Sequence, residues 1–148
     1  MEKNRKEKKD SIPIAQAERE YPPRIPEGEY DALCFNIETG RSFGGRRDIY
    51  IKFRLQDLNY NGIELFMVCT YNKRKLSPRT KYYGQWVTVT RRHPSRHETM
   101  DPEVFLNKMY VVKVRDTNPK YDDGSPKPDE FKYSVIDRII KVQHGKIA

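Results

Sequence analysis

The sequence predicts an all-β domain with one short helix, its elements in the order β-β-β-α-β-β. Three observations predict it. Apolar residues alternate with a period of two, most cleanly at Ile49, Ile51, Phe53 and Leu55. The period changes once, where Tyr82, Trp86 and Val89 recur at helical spacing. Segments rich in glycine, proline and polar residues separate the apolar runs, as turns require.

The first strand is expected over Glu29–Glu38, opened by a turn at Gly28 and carrying Tyr30, Leu33, Phe35 and Ile37. A glycine-containing loop, Thr39–Arg47, follows. Asp48–Gln56 is the second strand, with Tyr50, Lys52, Arg54 and Gln56 facing away from its apolar row. Asn59–Gly62 turns the chain into the third strand, Ile63–Thr70. Ser77-Pro78 pairs a serine N-cap with proline at the first helical position, so a helix is expected over Pro78–Thr90. His93-Pro94 ends it. Asp101-Pro102 opens a second helical turn anchored by Val104, Phe105 and Leu106. Lys108–Arg115 and Phe131–Val142 are the last two strands, joined by the polar loop Asp116–Glu130. Five strands in a Greek-key barrel, with the helix between the third and fourth, make the OB-fold. Other small barrels and α+β sheets share this order.

The length of 148 residues suits one domain. Residues 1–27 are charged and proline-rich and are expected to form a flexible arm. Residues 28–142 form the OB-fold-like domain, and 143–148 a frayed C-terminus. Up to Gly28, seven basic residues face six acidic ones, so nearly all of the net charge of +8 belongs to the folded part. Cys34 and Cys69 lie far apart in apolar runs and are expected to be buried thiols in a reducing compartment. No apolar run approaches the roughly 20 residues of a membrane span. The charged N-terminus does not resemble a secretory signal, which makes the cytoplasm the expected location.

The strongest local signal is charge segregation. Between Leu65 and His97 there is no Asp or Glu, while the same span holds Lys73, Arg74, Lys75, Arg79, Lys81, Arg91, Arg92 and Arg96. Phe66, Tyr71, Tyr82, Tyr83 and Trp86 are interleaved with them. The first loop adds Arg41, Phe43, Arg46 and Arg47 among glycines. Single-stranded nucleic acid needs cations for its phosphates and flat apolar surfaces for its unstacked bases. This composition offers both. In an OB-fold the ligand crosses strands two and three between two flanking loops. The expected interface is therefore Arg41, Phe43, Arg46 and Arg47 from the first loop, with Tyr50, Lys52, Arg54 and Phe66 from the strands. Tyr71, Lys73, Arg74, Lys75, Arg79 and Lys81 extend it, and Arg91 and Arg92 close it. Lys120, Tyr121 and Lys127 would stand on the second flanking loop. Bland alternatives stay open: Trp86 packs the helix onto the sheet, and Tyr50 with Phe66 is a cross-strand pair.

Two stretches, Pro26-Glu27-Gly28-Glu29-Tyr30 and Ile51-Lys52-Phe53-Arg54-Leu55-Gln56-Asp57, resemble phage- and plasmid-encoded OB-type single-stranded DNA-binding proteins. Gly62, Leu76-Ser77-Pro78, Lys81-Tyr82-Tyr83 and Trp86 add to the likeness, which covers Pro26 to Val142. The resemblance implies a non-catalytic accessory protein of a mobile element acting in replication, recombination or transfer. Its implied partners are single-stranded DNA, with RNA as the alternative, replication or recombination proteins, and further copies of itself. The chain departs from that family in its long basic stretch before the helix. It also ends Lys141–Ala148 without acidic residues, so the partner recruitment that an acidic tail serves is not expected.

Other chemistries fit less well. His93 and His97 have the spacing of a metal pair on a helix, but Pro94 between them argues against that helix. Gly40 to Gly45 lacks the lysine of a phosphate loop. Asp116, Asp122, Asp123, Asp129 and Glu130 sit together in one proline-rich loop, a weak basis for a metal-dependent nuclease. No cofactor or metal is expected. The remaining alternative is a protein–protein or RNA-binding module of a larger assembly.

Overall fold

The computed structural model describes residues 12–72 and 75–143. The expected interface residues Lys73 and Arg74 lie outside this range, as do residues 1–11 of the arm and 144–148 of the expected frayed end. Five strands form one antiparallel sheet: β1 (Gly28–Phe43), β2 (Arg46–Leu55), β3 (Glu64–Asn72), β4 (Met109–Asp116) and β5 (Ser134–Val142). Among the described residues there is one α-helix, α1 (Lys81–Thr90), between β3 and β4. A 3₁₀ turn at Pro102–Phe105 follows it, begun by the Asp101 carboxylate accepting from the Glu103 N–H. The order across the sheet is β3-β2-β1-β4-β5.

β1 is central and long because it serves two partners. Gly28–Leu33 pairs with β4, and Ala32–Phe43 pairs with β2. Where one partner gives way to the other, Cys34 pairs with Phe53 and Asn36 with Lys52, which leaves Phe35 as an extra residue. Such a bulge bends the strand and increases its twist. β5 carries register shifts at Ile140 and Asp137 on the opposite wing. The two outer strands, β3 and β5, approach each other, and α1 packs against both. No ladder among the described residues joins them, so the sheet is open rather than the closed barrel expected.

The apolar row of β2 turns inward as its alternation predicts: Ile49, Ile51, Phe53 and Leu55 are all buried. Leu65, Met67 and Cys69 of β3 join them, with Tyr110, Val112 and Val114 of β4. Trp86 and Tyr82 of α1 cover this core. Each such side chain contributes about 1.5–3 kcal/mol by leaving water. Cys34 and Cys69 are free and buried, and burial pushes their thiols up to about 12 and about 11.

Three element boundaries differ most from expectation. Thr39–Arg47 is not a loop. β1 and β2 continue as a hairpin to a two-residue turn at Gly44-Gly45, where φ is 53° and 85°. Successive positive φ values give the turn whose twist matches paired strands, and glycine adopts them without strain. The helix begins at Lys81, not Pro78, because Ser77–Thr80 closes its own turn: the Thr80 N–H donates to the Ser77 carbonyl at 3.0 Å. Thr80 is then the cap, its hydroxyl accepting from the Tyr83 N–H. β5 begins at Ser134 because Asp129–Phe131 forms a 3₁₀ turn.

The domain also starts earlier than Gly28. Ile25 is buried in the core, and its backbone N–H and carbonyl both bond the Ser134 hydroxyl. Arg24 pairs with Asp116 at 3.0 Å, and the Tyr21 hydroxyl donates to the Phe131 carbonyl. The Ser134 N–H also donates to the Pro23 carbonyl at 2.9 Å, so residues 21–26 lie along the start of β5, while residues 12–20 are exposed.

One buried polar side chain matters for the open sheet. Gln85, on the inward face of α1, donates to the Ile139 carbonyl at 3.4 Å and accepts from the Ile139 N–H at 2.5 Å. Its amide thus partners a backbone unit of β5 as a further strand would. Gln85→Leu keeps the volume and orphans both groups, so we expect a loss of about 2–3 kcal/mol in urea unfolding. A loss below about 0.5 kcal/mol would show that the Ile139 backbone does not depend on Gln85.

Candidate nucleic-acid interface

Hairpin β1–β2 and the basic segment after β3 are neighbours because β3 pairs with β2 to its end: Arg46 stands opposite Asn72, and Arg47 opposite Tyr71. Arg47 therefore belongs to the inward-facing row of β2, not to a loop, and its Nε is buried without a hydrogen-bond partner among the described residues. Arg41 and Phe43 belong to β1 by their backbone, and their side chains lie outside the description.

Below this hairpin lies a cleft of about 850 Å³. Thr39 of β1, Ile49 of β2 and Tyr71 of β3 form one side, continued by Lys75, Leu76 and Pro78. Tyr82 and Tyr83 of α1 and the segment Pro94–Met100 form the rest. Tyr71 and Tyr82 stack at 5.8 Å with planes 29° apart. Tyr82 is fully buried and is core, while Tyr71 and Tyr83 are half-buried and keep part of their rings accessible.

The wall formed by Pro94–Met100 is tied down at both ends. At its far end, the Tyr82 hydroxyl donates to the Met100 carbonyl at 2.7 Å, and Trp86 Nε1 donates to the Asp101 carbonyl at 3.3 Å. Trp86 is 1% exposed, so it packs the helix and is no stacking platform. At the near end, Arg91 caps α1 in the left-handed region (φ 61°), its N–H bonding the Val87 carbonyl. The Glu98 carboxylate then accepts two bonds from Arg92, at 2.8 and 2.5 Å, and one from the Ser95 N–H at 2.9 Å.

The expected cations fall into two groups. Lys52 pairs with Glu38 at 2.9 Å, Arg54 with Glu64 at 2.9 Å, and Arg92 with Glu98. Arg54 also lies 4.4 Å over the Phe35 ring, and Arg92 5.0 Å over Trp86. The outward face of β2 and β3 is thus a charge-balanced surface. On it, Tyr50 meets Phe66 edge-on at 5.7 Å. The Tyr50 ring also crosses Gly40, where an added Cβ would come within 2.9 Å of it. The second group, Arg46, Lys75, Arg79, Lys81 and Arg91, forms no ion pair among the described residues. Lys75 lines the cleft, and Arg79 follows it in the same segment. Burial lowers the pKa of Lys81. Tyr83, Arg96 and His97 were not in the expected set, yet all three line the cleft. Their signal was the acid-free stretch itself, which includes them.

On the flanking loop, the Lys127 ammonium lies 5.5 Å from the Tyr121 ring centre and 5.7 Å from that of Phe131. Among the described residues, no three or more His, Cys, Asp or Glu side chains gather as a metal-ligating group. Compared with known proteins, the chain matches no family model and no curated protein.

The Glu98 clasp yields a pH prediction. Arg92 first, and the Ser95 N–H second, hold this carboxyl down to about 2. A carboxyl depressed on folding stabilises fully above its unfolded pKa and loses that contribution as pH falls through the folded one. The clasp should hold at neutral pH and open only between roughly pH 4.5 and 2. Carbon NMR of the Glu98 carboxyl should titrate with a midpoint near 2, moving up toward the ordinary value in Arg92→Ala. A wild-type midpoint in the ordinary range would show that the clasp does not form in solution.

Proposed function

We propose that this chain is an OB-type single-stranded DNA-binding protein, a cytoplasmic, non-catalytic accessory of a mobile genetic element in replication, recombination or transfer. The observation that carries the reading is the grouping of cations that form no ion pair among the described residues with half-buried tyrosines at one end of the sheet. Lys75 and Arg96 line a cleft that exposes parts of Tyr71 and Tyr83, Arg79 follows Lys75 in the same segment, and Arg46 stands on β2 opposite Asn72. Cations without carboxylate partners remain available to phosphates, and every base has a face that can stack on a tyrosine. The strand order supports the same reading. A first strand that pairs with both the second and the fourth, and a helix lying between the third and fourth, are features of the OB arrangement.

One observation favours a second reading. The outward face of β1, β2 and β3 sets Phe35, Tyr50 and Phe66 among ion pairs that cancel its charge. Such a mixed, aromatic face suits a protein partner better than a polyanion.

Fluorescence anisotropy with oligo-dT at several salt concentrations tests the proposal. About four phosphate contacts give a slope of log K against log salt near −3. Lys75→Ala combined with Arg79→Ala should make that slope shallower by about 1.4. Lys52→Ala, which removes a cation already paired with Glu38, should leave it nearly unchanged. Absence of binding at low salt, or equal affinity for duplex, would overturn the reading.

A further inference from the structure

The cleft has a shape and lining that an open strand-binding face does not need. Its volume of about 850 Å³ lies in the range of small-molecule sites, roughly 300–1,000 Å³. Its lining is largely apolar and aromatic, with Ile49, Leu76, Pro94 and Met100 beside Tyr71 and Tyr83. Among the described residues, two cations reach it from separate segments, Lys75 after β3 and Arg96 after α1. One carboxylate is present, but Glu98 is already neutralised by Arg92 and bonded by Ser95. The wall that carries Arg96 is held by the Tyr82 and Trp86 donors and by that clasp, so the recess is formed before any ligand arrives. A ligand matching these features is flat and apolar at one end and anionic at the other.

We propose that the cleft is a nucleotide pocket: it takes one unstacked nucleobase of a bound strand against Tyr83 and Tyr71, with the adjoining phosphate held by Lys75 and Arg96. The choice of ligand rests on the single-strand reading above, whereas the pocket's preference for a flat anion rests on its lining alone. A base seated here is removed from the run of stacked bases. The protein would then grip a strand at one fixed nucleotide and track the rest electrostatically over Arg46 and Arg79.

The probe is deoxythymidine monophosphate, titrated into the full chain and followed by two-dimensional NMR, with thymidine as the phosphate-free comparison. The expected result is saturable shifts at Tyr71, Tyr83 and His97, with weaker binding of thymidine. Lys75→Ala with Arg96→Ala changes two exposed side chains and should leave the spectrum folded while weakening the mononucleotide roughly tenfold or more. Oligo-dT should displace it. Shifts confined to the outward face of β2 and β3, equal binding of thymidine and the monophosphate, or no shifts at all would overturn the pocket. Oligo-dT binding without mononucleotide shifts sinks the pocket and leaves the general reading standing. Mononucleotide shifts without oligo-dT binding do the reverse, and assign the cleft to free nucleotides.

Discussion

The rest of the fold depends on one strand having hydrogen-bonding partners on both sides. β1 gives its first residues to β4 and its last to β2, and the Phe35 bulge lies where the exchange happens. Without that extra residue the strand would run straight and the sheet would stay flatter. With it, the two wings turn toward each other, β3 approaches β5, and α1 covers the remaining opening. The far end of β1 then projects past the core as a hairpin, which brings Arg46 and Arg47 beside the end of β3. The cleft exists because that hairpin and α1 flank the same gap.

Polar groups on buried side chains hold the gap's margins. Tyr82, Trp86 and Tyr110 each bury a large ring and donate one hydrogen bond to a carbonyl between Met100 and Phe105. An aromatic with a polar tip can do this because its body is apolar and its donor must be satisfied. The irregular segment after α1 is thereby attached to the core at three carbonyls. Gln85 does the corresponding work on the other side of the helix, at Ile139 of β5.

Ion pairing sorts the basic residues more sharply than their number does. An exposed ion pair adds about 0–1 kcal/mol to stability. Its larger effect here is on the local field. Glu38 and Glu64 neutralise the cations of the outward sheet face, and Glu98 neutralises Arg92. No carboxylate does this for Lys75 or Arg79 among the described residues. The positive potential is therefore displaced from the face where an OB-type ligand would be expected toward the cleft and hairpin.

The inward rows of β2 and β3, the buried helix face and the capped turn at Asp101 were legible in the sequence. Each depends on periodicity or on a side chain bonding its own neighbouring backbone, and such interactions are local. The acid-free stretch was legible too, because charge signs are simply read along the chain. The hairpin in place of a loop was not: Gly40, Gly44 and Gly45 look alike in sequence, and only the pairing with β2 makes two of them a tight turn and leaves the third beneath Tyr50. Thr80 takes the capping role from Ser77 because Ser77–Thr80 forms a turn of its own before the helix. The partners of Lys52, Arg54 and Arg92 were likewise unreadable in advance, as were the inward turn of Arg47 and the docking of Ile25. Sequence alone determined which residues are apolar, where they repeat and where positive charge accumulates. Tertiary structure alone decided which cations meet carboxylates and which tyrosines keep an exposed edge, because both are set by cross-strand register and by contacts between residues far apart in the chain.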